Sequence, residues 1–233
     1  MTVPRPGARH RRDAAWLVFT SLSFFILLLP ISSYVAALPY IKLEWDLNNT
    51  QAALVYSASL AGFVVSALLL MPLTDRVGAR RILIGSALLS AVAHLLFPLF
   101  ASSGVGGAVV RLGAGVGFMG VYTPGLRIIA ERFPGVGRGA AMGLFVTAQY
   151  AAHGSSLAIT GALMSYVGWR EAYLTMSIAA VFAVPAIYLL LRSHPDVSNG
   201  QSSGKLNLRV LRNPPVRLFI LGYSLHALHL HAV

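Results

Sequence analysis

The chain has 233 residues, of which 56% are hydrophobic and only 11% charged, and its mean hydropathy is +0.70. That composition excludes an ordinary soluble domain with a polar surface, and the absence of cysteine excludes disulfides, thiolate metal sites and a thiol nucleophile. A net charge of +11 could suit nucleic acid, but membrane proteins gather Lys and Arg on their cytoplasmic side, so placement must choose between the two readings.

A helix needs roughly 20 apolar residues to cross a hydrocarbon layer about 30 Å thick. Residues 1–14 are expected to be a basic tail, followed by spans over 15–40, 52–73, 82–101, 107–130, 139–165 and 172–191. The first apolar run is about twice the usual h-region of a signal peptide, so it is taken as a span. Asn49 or Thr50 is placed to cap the second span. Segment 15–192 is thus expected to form one six-helix unit, 193–213 a polar linker, and 214–233 the start of a seventh span in which the chain ends.

With the N-terminus inside, the inner segments hold Arg5, Arg9, Arg11, Arg12, Arg76, Arg80, Arg81, Arg127, Arg132, Arg138, Arg192, Lys205, Arg209, Arg212 and Arg217, fifteen of the eighteen basic residues. Only Lys42 and Arg170 fall outside, and Arg111 lies within a span. The basic charge therefore reports orientation, not a nucleic-acid partner.

An ungapped comparison of 52–81 with 142–171 sets Val77-Gly78-Ala79-Arg80 against Val167-Gly168-Trp169-Arg170, with eight identities in thirty. The offset spans three helices, an odd number, so the matching turns lie on opposite sides of the membrane. This is the pattern of an inverted repeat of three plus three helices.

The turn after the second span reads Leu73-Thr74-Asp75-Arg76-Val77-Gly78-Ala79-Arg80-Arg81 and resembles the signature loop of the major facilitator superfamily, with Met71 where that family usually has glycine. The run Arg111-Leu112-Gly113-Ala114-Gly115-Val116-Gly117 is similar to the superfamily's Arg-plus-glycine motif, and Glu131 with Arg138 to its charge pair between helices four and five. Gly168-Trp169-Arg170 resembles its turn before helix six. The antiporter Gly-Pro signature is absent from the fifth span.

The resemblance implies an all-α polytopic fold, the N-terminal half of a secondary transporter working by alternating access, with a truncated, non-transporting membrane fragment of such a transporter as the alternative. It also implies a small solute, the lipid bilayer and a C-terminal half as partners, and no enzymatic activity or cofactor. A cell membrane, most simply a bacterial inner membrane, is the expected location. In this fold the first and fourth helices line the cavity, which ranks Arg111, Ser33, Tyr34, Tyr122, Gln149 and His153 as candidate substrate contacts. Arg111 leans toward a small anion, and His153 offers a proton carrier because imidazole titrates near neutrality. Asp75, Arg76, Gly78, Arg80, Glu131 and Arg138 are the candidate gating residues, with Asp75, Arg76 and Glu131 expected to form a charge cluster. Pro30 and Pro124, mid-span in repeat-related helices, are candidate hinges. A serine protease of the membrane would need Ser in helix four and His in helix six, and both are missing. His226, His229 and His231 lack a fourth metal ligand, so no metal site is expected.

Overall fold

The computed structural model describes residues 6–192, 212–218 and 221–222, with side chains from Arg11 onward. The chain divides into two units, Met1–Ser202 and Ser203–Val233. In the second, residues 214–218 form a helical turn. The expected linker 193–213 and the three histidines of 226–231 lie almost wholly outside the described residues.

The first unit is all helical: α1 (Pro6–Leu27), α2 (Ser33–Glu44), α3 (Asn49–Val77), α4 (Ala79–Phe100), α5 (Gly104–Arg132), α6 (Gly137–Leu163) and α7 (Trp169–Leu191). α1 and α2 are the two parts of one broken segment, so the unit is a bundle of six. By length and composition α3, α4, α5 and α7 are each able to cross a membrane among the described residues. α6 falls short because Gln149, His153, Ser155, Ser156 and Thr160 dilute its apolar character, and the first segment because it is interrupted.

The interruption sits at Pro30, which lacks an amide donor. Leu29, Ile31 and Ser33 each donate to the carbonyl three residues back, a tight local winding in place of the α pattern. The freed amide of Ser32 is caught by Ser156 Oγ at 3.0 Å from α6. Pro124, the other expected hinge, lies inside an unbroken α5.

Three expected boundaries move. α1 begins at Pro6, inside the stretch expected to be a tail. Asn48, not Asn49 or Thr50, caps α3: its Oδ1 accepts from the Gln51 amide while Gln51 Oε1 accepts from the Asn48 amide, both at 2.9 Å. The turn after α3 shrinks to one residue, Gly78, at φ 102° and ψ 141°, a conformation that a side chain resists.

Glycine sets how closely α5 meets its neighbours. A Cβ on Gly115 would lie 2.0 Å from the Ser59 carbonyl oxygen on α3, and one on Gly117 would lie 2.6 Å from the Ser90 amide on α4. α5 is therefore held between two helices at backbone distance. The apolar core has one cluster around Phe24, Leu83, Ile128, Phe145 and Ile187, and another around Tyr34, Ile41, Phe97, Trp169 and Tyr173.

The inverted repeat is visible in the caps. Repeat-related Gly78 and Gly168 are the N-caps of α4 and α7. Arg80 Nη1 donates to the Arg192 carbonyl past the end of α7 at 2.9 Å. At the opposite end, Arg170 donates to the carbonyls of Pro98 and Ala101 at the end of α4, at 2.8 and 3.1 Å. Each repeat thus ties the last carbonyls of the other.

Candidate functional site

Arg111 is 3% exposed. Its Nη2 donates to Ser59 Oγ at 3.0 Å, and the guanidinium lies 4.6 Å from the Tyr34 ring centroid and 5.7 Å from that of Tyr56. Placing arginine mid-membrane costs about 2.5–3.5 kcal/mol on insertion scales. A charge-assisted hydrogen bond of about 1.5–3 kcal/mol and ring contacts of about 0.5–2 kcal/mol each are enough to offset that. None of these groups neutralises the charge, however, and Arg111 Nε has no acceptor. All seven acidic residues lie outside the expected spans.

Beside the guanidinium is a cavity of about 20 Å³ lined by Ile31, Ser59, Phe63, His94, Arg111, Ala114, Gly115 and Phe118. It has room for about one water, so a solute could reach Arg111 only if the helices part. Ile31 belongs to the Pro30 break, which brings that irregular backbone to the cavity wall. His94 Nδ1 pairs with Tyr173 Oη at 3.0 Å, fixing α4 to α7 behind the cavity.

The other expected contacts separate into two groups. Ser33 and Tyr34 are fully buried; Ser33 Oγ is 2.8 Å from Thr160 Oγ1, and Tyr34 Oη donates to the Ala52 carbonyl at 2.9 Å. Tyr34 meets Arg111 through its ring. Tyr122 is half-buried and stacks between Phe118 and Phe145. His153 Nδ1 donates to the Gln149 carbonyl at 2.9 Å, and its ring meets Phe118 edge-on. Gln149 Oε1 is buried without a partner. Tyr122 and His153 therefore meet Phe118, whose side chain also borders the Arg111 cavity, and Gln149 joins them through its carbonyl's bond from His153.

At the Arg-rich end, Asp75 and Glu131 are brought together, but the cation between them is Arg127. Its Nη1 donates to Asp75 Oδ1 at 2.8 Å and its Nε to Glu131 Oε1 at 2.9 Å. Arg76, expected in this cluster, and Arg138, another expected gating residue, are exposed and make no ion pair among the described residues. Sequence reasoning missed Arg127 although its spacing of four from Glu131 on a helix was a usable signal. Ser59, Tyr56, His94 and Tyr173 carried no such signal, since only packing between helices brings them to Arg111.

At the opposite end Glu44 accepts from Trp169 Nε1 and Arg170 Nη2, both at 2.6 Å. Partial burial pushes its carboxyl up, but the bonds from Arg170 and Trp169 outweigh this and hold it below its ordinary range. Among the described residues no group of three His, Cys, Asp or Glu could hold a metal.

A bundle with a broken first helix, a glycine-packed α5 and, among the described residues, a single buried arginine can be set against known families. The model described as Major Facilitator Superfamily matches residues 20–230. The chain belongs to the Major Facilitator Superfamily. Among its superfamily relatives, the transporter-named SVOPL of Mus musculus is 30% identical over 170 residues, covering 72% of this chain and 34% of that protein. The "Probable sulfoacetate transporter SauU" of Cupriavidus necator is 26% identical over 177 residues, covering 75% and 40%. A bacterial homologue of the human lysosomal transporter Spinster, crystallised inward-facing and unoccupied, shares the fold with a TM-score of 0.67 at 15% identity, over 86% of this chain and 48% of that one. The chain thus spans about a third to two-fifths of these curated relatives and about half of the solved structure.

Proposed function

We propose that this superfamily chain is the N-terminal half of a secondary transporter that moves a small organic anion by alternating access. The supporting observation is Arg111, a buried guanidinium with one N–H unpartnered, and no carboxylate lies in any of the apolar spans expected from the sequence. Buried charges are normally paired, and an anionic solute entering when the helices part would complete the pair. A relative named for sulfoacetate, itself an organic anion, is consistent with this cargo. Tyr122, Gln149 and His153 would contribute hydrogen bonds from the neighbouring wall, and His153 could carry a coupled proton. The N-terminus is proposed to face the cytoplasm, in a bacterial inner membrane, and transport to require a C-terminal six-helix half.

The test is uptake by proteoliposomes holding the chain together with that half, using carboxylates and sulfonates beside neutral analogues. Arg111→Ala should reduce anion uptake at least tenfold, the loss of about one charge-assisted hydrogen bond. Arg111→Lys should retain only a fraction, because lysine keeps the charge but not the planar fork. Undiminished anion uptake by Arg111→Ala would remove the residue from the site.

A further inference from the structure

We propose that the groove between the Arg-rich ends of α4 and α7 binds the phosphate headgroup of an anionic membrane phospholipid. The groove is a cavity of about 300 Å³ lined by Arg80, Arg81, Ile84, Tyr188 and Arg192. It is therefore far larger than the one-water space beside Arg111, and of a size that suits an organic ligand. Among the described residues that line it, three of five bear a guanidinium and none is acidic.

Two further features point to phosphate. α4 starts here, and its N-cap, Gly78, offers no side chain to its first amides. The positive end of that helix thus adds to the field of the arginines. Arg80 is also pre-positioned, since its Nη1 is held by the Arg192 carbonyl. Arginine's planar fork matches phosphate oxygens better than a point charge does.

The groove's apolar side distinguishes a lipid from a soluble ion. Ile84 and the half-exposed Tyr188 form it, and tyrosine favours the depth at which headgroups meet acyl chains. Beyond them α4 and α7 present the exposed side chains Leu88, Val92, Val181 and Phe182, over which an acyl chain can lie. A basic pocket between helices at the cytoplasmic surface is a recognised form of anionic headgroup site. It lies apart from the Arg111 cavity and shares none of its lining, so it stands whatever solute is carried.

The test is native mass spectrometry of the purified full chain equilibrated with equal amounts of phosphatidylglycerol and phosphatidylcholine. Phosphatidylglycerol should be retained preferentially, and millimolar inorganic phosphate should not displace it. Each basic residue near a membrane surface contributes about 1 kcal/mol, or about fivefold in affinity, so Arg81→Gln with Arg192→Gln should weaken retention about 25-fold. Arg81→Gln alone, at an exposed position, should weaken it about fivefold if the double variant is not monodisperse. Arg12→Gln, also exposed but on α1, should change nothing. Equal retention of the two lipids, displacement by inorganic phosphate, or wild-type retention by the Arg81 variant would each overturn the site.

Discussion

Arg111 and Arg127 lie on the same helix, roughly 24 Å apart along its axis at the usual rise, and meet opposite environments. Arg111 is surrounded by a hydroxyl and two aromatic rings, whereas Arg127 joins two carboxylates at a partly exposed helix end. The charge of Arg111 inside a span was legible from sequence because it interrupts an apolar run. Its solvation was not, because Tyr34, Tyr56 and Ser59 reach it from other helices. For the inner end, the residue chemistry was legible and the choice of cation was not. Six arginines at that end, Arg76, Arg80, Arg81, Arg127, Arg132 and Arg138, were available, and only the register of α5 against α3 selects Arg127. With its side chains about a third exposed, this network is worth no more than about 1 kcal/mol per pair. A double-mutant cycle on Asp75→Asn and Arg127→Gln, read as thermal stability, should therefore show coupling of about 0.5–1 kcal/mol, while the cycle on Arg76→Gln and Glu131→Gln should be additive. Additive effects for the first pair would mean that the two side chains act independently.

At the scale of the element, the two mid-span prolines show how packing decides what propensity leaves open. Both lack the amide that a helix uses, yet only Pro30 breaks its helix. α5 is fixed on both sides by backbone contacts through Gly115 and Gly117, and Gly120, four residues back from Pro124, has no side chain and lies against the Ser86 and Leu70 side chains. α1 has no comparable clamp at Pro30, and Ser156 stands ready to accept the freed amide. The spans themselves were legible, since apolar length fixes them; helix ends were less so, because α1 and α3 run on past their apolar residues into charged sequence. Gly115→Ala should accordingly cost at least about 1–3 kcal/mol, because its Cβ would meet rigid backbone on α3. Gly154→Ala on α6, with nothing within 4 Å of the added carbon, should leave stability unchanged or slightly raised. Thermal unfolding of the two variants in detergent checks this, and equal melting temperatures would contradict the close packing of α3 and α5.

For the whole molecule, the inverted repeat makes the two ends of the bundle chemically alike in their caps and unlike in their charge. Gly78 and Gly168 both start a helix, and Arg80 and Arg170 both hold the final carbonyls of the repeat-related partner. Cap geometry alone therefore gives no orientation. The basic residues differ between the ends: among the described side chains of the bundle, Arg11, Arg12, Arg76, Arg80, Arg81, Arg127, Arg132, Arg138 and Arg192 lie at one end, with only Lys42 and Arg170 at the other. Of that minority, Arg170 pairs with Glu44, whereas Lys42 bonds only the neutral Asn49 side chain and keeps its charge. The orientation proposed above would put Gly78 and Gly135 in the cytoplasm and Ser102 and Gly168 outside. Because the chain has no cysteine, a single cysteine at each position gives an unambiguous readout in intact cells. A membrane-impermeant maleimide should label Ser102→Cys and Gly168→Cys, and should reach Gly78→Cys and Gly135→Cys only after the cells are opened. Gly78→Cys and Gly135→Cys both carry strain, at φ of 102° and 76°, so Gly137→Cys, where an added Cβ meets nothing within 4 Å, must agree with them. Labelling in the reverse pattern would invert the orientation and move the phospholipid groove to the outer leaflet.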